Sequence, residues 1–338
     1  MSTLAERMPY TFDLPNALGT GMIISSSKAI SSTTAAGIRS FVAHYEAALS
    51  RFRQDSIVGS MNRAAHGGQF DFPDWCAGLF DLYDQLVTAT DGAIDPCVGE
   101  DLIRLGYDAK LTFTMQPGAA NQLGALHGRP TWRNDITRQS EHGTTLITHC
   151  PVYLDFGACG KGYCVDLIAQ RLRAANYREF VINAGGDLRI HSAEPITIAL
   201  EDPRNTANAV GIAHITTGAF CASAPSRRHW QDAEAHELHH LLNAIDGRPV
   251  HDVHATWVYA PVETLSTAST TETSQHNGSS NITHYPTAMA DGLATALFVA
   301  HPNQLAAAFP DGSFACALLR ADNTAAASKR FPGEFFTH

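Results

Sequence analysis

From Leu154 to Ile190 the chain reads LDFGACGKGYCVDLIAQRLRAANYREFVINAGGDLRI, which implies a strand, a glycine turn, a helix, a second strand and a second glycine turn. Val152 to Phe156 is short and apolar around one acid, Asp155, and stops at Gly157, as a strand running into a turn would. Val165, Ile168, Ala169 and Leu172 then recur at three- and four-residue steps, with Gln170, Arg171 and Arg173 on the other side. That spacing predicts a helix with one packed stripe and one wet one. Glu179 to Asn183 reads as the second strand, broken by Ala184-Gly185-Gly186-Asp187. The two turns carry Asp155, Lys161 and Asp187 beside their glycines, which suits backbone lying against a polar, phosphate-bearing ligand. Gly157-x-x-Gly160-x-Gly162 reverses the dinucleotide fingerprint, and Gly160-Lys161 lacks the spacing and the trailing Ser/Thr of a P-loop, so neither loop is assigned. Glycines that only permit tight packing at a helix start remain the alternative on local sequence.

The flanking chain adds mixed α and β signals. Residues 1–16 read as an N-terminal arm, and Leu18 to Ile24 as the first strand. Ala35 to Phe52 carries Ile38, Phe41, Val42, Tyr45, Ala48 and Leu49 at helical spacing, and Pro73 to Thr88 puts Trp75, Leu79, Leu82, Tyr83 and Leu86 on one helix face. Thr90 to Pro96 is a turn with two acids, in which Asp95 is either a ligand contact or a cap. The polar run 117–144, with Trp132, is expected to cross the surface before a strand at Thr145 to Cys150. Pro195 to Leu200 and Gly211 to Thr216 read as strands of a meander, and Thr256 to Pro261 as a later strand. The Ser/Thr-rich run 263–283 reads as a polar insertion loop. Its Asn277 and Asn281 acceptor patterns matter only in a secreted protein. Pro286 to Val299 is a helix that turns Met289, Leu293, Leu297 and Phe298 to the core and puts Asp291 and Thr295, four apart, on another face.

Composition narrows the function classes. With 338 residues the chain can bury a large core as one domain, 17–338, or as two intimate lobes. A formal charge of −10, from 23 Lys and Arg against 33 Asp and Glu, argues against nucleic-acid or anionic-membrane partners. A phosphate-bearing ligand must then meet local positive charge or a metal; Arg227 and Arg228 are candidates, with a solvated turn as the alternative. Neither an apolar leader segment nor a lipidation cysteine marks the N-terminus, so the expectation is a cytoplasmic protein, or an exported one whose leader has been removed. Seven cysteines without regular pairing also fit a reducing compartment, and Cys159 and Cys164, beside Lys161, read as core or loop residues.

His236-Glu237-Leu238-His239-His240 offers the main competing chemistry. On a helix, H-E-x-x-H puts two imidazoles on one face for zinc, with the glutamate as base. Against it, Ile245-Asp246-Gly247-Arg248-Pro249 is a turn close behind, and no third ligand follows at the usual spacing.

Taken together, D-F-G-A-C-G-K-G-Y-C-V-D at Asp155 to Asp166 and N-A-G-G-D-L at Asn183 to Leu188 resemble the paired signature of the ApbE family of FAD:protein FMN transferases. Further pieces agree in order: A-L-G-T at Ala17, F-R-Q-D-S at Phe52, M-N at Met61, T-D-G-A-I-D-P at Thr90 and A-D-G-L-A-T-A-L-F-V at Ala290. The resemblance spans about residues 17 to 300 and implies an α+β fold of two interleaved lobes, with mainly antiparallel sheets, flanking helices and FAD in the cleft between them. It implies an FAD site lined by Leu18, Phe52, Ala93, Ile94, Asp95, Asp155, Lys161 and Leu242, with Ile94 where the family usually has Phe. It also implies an Mg²⁺ site made by the Ala158 carbonyl, Asp291 and Thr295, an all-oxygen set suited to a hard cation. In the implied reaction FMN passes from FAD to a Ser or Thr hydroxyl of an acceptor flavoprotein and AMP leaves. Lys161 and the metal would stabilise the pyrophosphate charge, and His240, with His239 as the fallback, would take the hydroxyl proton. His240 to Gly247, H-L-L-N-A-I-D-G, departs from the family's H-x-I-D-P-x-T-G at Asn243, Ala244 and Asp246. A metal-dependent FAD pyrophosphatase and a non-catalytic FAD-binding protein stay open as alternatives.

Overall fold

The computed structural model describes residues 3–262 and 284–336, so the expected loop at 263–283, with Asn277 and Asn281, lies outside the described residues. Strands β1 (Tyr10–Leu14), β2 (Met22–Ser26), β6 (Phe180–Ala184), β7 (Asp187–Asp202), β8 (Asn205–Ser223), β11 (Val253–Ala260), β12 (Ala315–Arg320) and β13 (Ala325–Ala327) lie side by side in that order, and β14 (Gly333–Phe335) joins β8. A smaller sheet holds β3 (Gly68–Asp71), β5 (Thr145–Thr148) and β4 (Ile136–Arg138), and β9 (His229–Gln231) pairs with β10 (Glu237–His239). Every pairing between these strands is antiparallel, and the fold is α+β.

Four helices matter for the site: α1 (Ser32–Leu49), α2 (Ala77–Ala89), α3 (Gly160–Ala174) and α4 (Pro286–Ala296). The apolar stripe foreseen on α3 is fully buried at Val165, Ile168 and Leu172, and α4 is buried along nearly its whole length in the same core. These two helices touch because of one glycine. A side chain at Gly162 would put its first carbon 2.3 Å from the Thr287 carbonyl oxygen, so any other residue would push the helices apart. One turn further along α3, Asp166 accepts hydrogen bonds from the Thr287 and Ala288 backbone N–H groups (2.8 and 2.9 Å) and the Thr287 hydroxyl (2.6 Å). It thereby caps a helix that has no side-chain cap of its own. Burial pushes this carboxyl up to about 6, against the pull of Arg189 and of these donors. The position of α4 is therefore set from α3, and with it that of Asp291 and Thr295.

The structure departs from the sequence reading in several places; the strand read from Leu18 starts only at Met22, after a helical turn at Ala17–Gly19. The N-terminal arm is not irregular: Leu4–Arg7 is a helical turn and β1 is an edge strand on β2. Val152 to Phe156 forms no strand; Asp155 N–H donates to the Pro96 carbonyl (2.6 Å) instead. The run 117–144 is mostly exposed, as expected of a surface crossing, but it is anchored by buried Leu123, Arg129 and Trp132. Among the described residues, no helix is long and apolar enough to cross a membrane.

Candidate active site

The glycine turns at 157–160 and 185–186 open on one cleft of about 990 Å³, also lined by the 93–95 turn and the 240–244 segment. Lys161, in the first turn of α3, lies with Nζ 2.5 Å from Asp187 Oδ2 and 3.3 Å from Asp291 Oδ1. Asp187 reaches it because Gly185 and Gly186, at φ +65° and +109°, reverse the chain between β6 and β7. Asp291 is held from α3 as well, accepting from Gly162 N–H at 3.0 Å. Burial, then the Asp187 carboxylate, raise the Asp291 carboxyl well above the ordinary carboxylate range against the pull of Lys161. Burial acts the other way on Lys161, but the two carboxylates outweigh it and hold the ammonium above its ordinary value. Thr295, one turn beyond Asp291, has its hydroxyl 3.4 Å from the Ala158 carbonyl oxygen and 3.4 Å from Ser223 Oγ.

The facing wall is built from loops. Ala93 and Ile94 are buried and line the cleft, and Ala244 N–H donates to the Ala93 carbonyl (2.9 Å). Asp95 lines the cleft, but its carboxylate accepts from Cys97 N–H (2.8 Å) and Trp132 N–H (3.0 Å), so the capping alternative describes its contacts. Burial raises this carboxyl too. Behind it Arg129, side chain fully buried, has Nε 2.7 Å from Asp101 Oδ2 and donates Nη2–H to the Ala244 carbonyl (2.6 Å). With Nη1 3.9 Å from Asp95 Oδ1, Arg129 thus ties the 93–95 turn to the segment carrying His240 and Leu242, which both line the cleft. His240 Nδ1 lies 3.4 Å from the Arg228 carbonyl oxygen; with the proton on Nδ1, Nε2 keeps a free lone pair. Burial, helped by Arg228, lowers this imidazole to about 4, so it is neutral at pH 7. His239 is turned away, buried against the His251 ring at 5.1 Å and absent from the cleft lining.

Leu18 and Phe52 stand at the cleft edges. Leu18 has φ +54°, an unfavourable value for a branched side chain, and its N–H donates to Glu46 Oε1 at 2.8 Å. Phe52 is 41% exposed and sits edge-on to Tyr107 at 5.6 Å. Asp155 accepts from Gly157 N–H (2.6 Å) and pairs with Arg51. Every residue singled out for FAD, metal or base chemistry, except the fallback His239, therefore faces this one cleft. Arg51, Tyr107 and Arg129 escaped the sequence reading. No periodicity marks them, and their partners lie far along the chain.

The case against the H-E-x-x-H zinc site holds in the structure. Glu237–His239 is a strand, not a helix, and His236 is an exposed partner of Asp232 (2.9 Å), so the imidazoles share no helical face. Among the described residues, no three His, Cys, Asp or Glu side chains are grouped to hold a metal. The Asp291, Thr295 and Ala158 set is of another kind, because two of its three donors are a hydroxyl and a backbone carbonyl.

A family model described as the ApbE family matches residues 18–275. The chain belongs to the ApbE family. It is 28% identical over 217 residues to the FAD:protein FMN transferase of Rhodobacter capsulatus, covering 63% of this chain and 40% of that protein. The transferase of Vibrio cholerae serotype O1 is 23% identical over 212 residues, 60% of this chain and 61% of that one. The match thus spans less than two thirds of either relative. The Haemophilus influenzae transferase is 25% identical over 289 residues, 81% of this chain and 74% of that one. Among solved structures, the ApbE protein of Thermotoga maritima superposes with a TM-score of 0.74 at 21% identity over 96% of this chain and all of that one. The flavin transferase ApbE of Vibrio cholerae gives 0.72 at 20% identity, over 95% and 97%. These two likenesses support the ApbE fold.

Proposed function

We propose that this ApbE-family chain is an FAD:protein FMN transferase, which moves FMN from FAD to a Ser or Thr hydroxyl of an acceptor flavoprotein and releases AMP. The observation that carries this reading is that the Lys161, Asp187 and Asp291 cluster and a neutral His240 line one cleft, at the upper end of small-molecule site volumes. The names of the Rhodobacter, Vibrio and Haemophilus relatives support it.

The acceptor hydroxyl oxygen bonds to the FMN-side phosphorus, the bond from that phosphorus to the bridging oxygen breaks, and AMP carries the bridging oxygen away. The hydroxyl proton passes to His240 Nε2. Lys161 faces the pyrophosphate and offsets the charge that grows on it. The all-oxygen set of Asp291, Thr295 and the Ala158 carbonyl fits Mg²⁺: a buried carboxylate whose ionisation burial disfavours gains from a hard cation. Bound there, Mg²⁺ would neutralise phosphate charge. Leu18, Phe52, Ala93, Ile94, Asp155 and Leu242 form the walls of the FAD site, and Asp95 shapes one of them through its backbone contacts. All seven cysteines are free, which goes with a cytoplasmic protein.

The test is incubation of the purified chain with FAD and Mg²⁺, with and without an acceptor domain, following AMP and covalent flavin fluorescence in a denaturing gel. AMP together with acceptor-bound flavin is expected. AMP with only free FMN across several acceptors would make the protein a pyrophosphatase, and bound FAD without AMP would make it a carrier.

A further inference from the structure

Arg51 follows the last turn of α1 and lines the cleft, yet its side chain is only 5% exposed. Nε donates to Asp155, Nη1 donates to the Tyr107 carbonyl (2.8 Å), and the Phe52 and Tyr107 rings lie 4.1 and 4.8 Å from the guanidinium carbon. Nη2 is also buried and has no hydrogen-bond partner among the described residues. Leaving a buried charged donor unpaired is costly, and one placed in the wall of a ligand cleft calls for a ligand acceptor.

We propose that Arg51 is a recognition residue for the flavin dinucleotide, donating from Nη2 to an in-plane acceptor, a ring nitrogen or ring carbonyl, on the edge of one heteroaromatic base. Two features favour a base edge over a phosphate. Asp155 already balances the guanidinium, so Arg51 offers a directed donor without surplus positive charge. Half-exposed Phe52 lies over the guanidinium and presents a flat apolar face on which a base can stack. The inference rests on the transferase reading only for the identity of the ligand.

Calorimetric titration of the full chain with FAD, and with FMN and AMP in competition against FAD, compares the wild type with R51K and R51M. Lysine can keep the pairing with Asp155 but cannot supply the second donor of the fork. Both variants should bind FAD about ten-fold or more weaker. The loss should fall on only one of the two fragments, while R51K melts as the wild type does. A general loosening of the cleft would weaken both fragments alike, and that result, or R51K binding all three ligands as the wild type does, overturns the inference. A wild-type chain that fails to bind FAD overturns the functional reading with it; a wild type that binds FAD while R51K matches it overturns the role of Arg51 alone.

Discussion

The two walls of the cleft are made in different ways. One rests on regular structure: Lys161 on α3, Asp187 brought to the start of β7 by the Gly185-Gly186 turn, and Asp291 and Thr295 on α4, which the Gly162 contact and the Asp166 cap position. The other is made by the segments at 93–95 and 240–244, backed by Arg129, which joins them with two carboxylates. The first wall holds charge close together, and the second sets distance and shape. A chemical substitution should therefore act on the first wall with little change in fold, whereas the second should lose fold and binding together.

Asp291→Asn is the strongest test of that division. It keeps an acceptor for Gly162 N–H and removes the charge, so AMP formation should fall by about a thousand-fold or more. Because burial already disfavours the ionised carboxylate, the urea midpoint at pH 7 should hold or rise; a large fall would mean that this wall also depends on the charge for its fold. His240→Ala comes next. Transfer should drop by roughly 10²- to 10⁴-fold while FAD still binds, and an unchanged rate would remove His240 from the chemistry.

Arg129→Met turns to the loop wall. Removing it leaves Asp101, and more distantly Asp95, buried without a cation, a loss of about 3–5 kcal/mol in urea unfolding, accompanied by weaker FAD binding. A wild-type midpoint would show that the loops hold themselves. The acid side gives a smaller effect. His240 sits near 4 in the folded chain against an ordinary 6.5, because of burial and Arg228. Above 6.5 both states are neutral; between 6.5 and 4 only the unfolded state takes the proton, so stability falls, and below 4 the loss is complete. His240→Ala should flatten that limb by up to about 1 kcal/mol per pH unit, read from urea midpoints at pH 7 and pH 5.

The same division explains what could be read from the sequence. The glycines, the stripe on α3 and the Asp291/Thr295 spacing are local patterns, and each survives in the structure because neighbouring residues create it. Arg129 sits in a polar run with no period, and its partner Ala244 is 115 residues away. The H-E-x-x-H spacing, already set aside on sequence, has a hairpin beneath it and not a helix: Asp232 accepts from the Glu234 and His236 N–H groups and closes the β9–β10 hairpin. β1 escaped because an exposed edge strand has little need to alternate.

The smallest expected effect separates two arginines that the sequence offers as a pair. Arg227 lies at the rim, its side chain 69% exposed and paired with Glu201, whereas Arg228 donates to the Tyr107 hydroxyl (2.5 Å) beside His240. An exposed pair of this kind contributes less than about 1 kcal/mol and is screened by salt. Arg227→Ala should therefore leave the urea midpoint and the FAD affinity at their wild-type values. Arg228→Ala removes a cation that helps to keep His240 neutral, so the acid limb of the transfer rate should move to higher pH. If Arg227→Ala weakens FAD binding as much as Arg228→Ala does, the rim belongs to the ligand site, and the loop wall extends further from the cleft than its buried contacts imply.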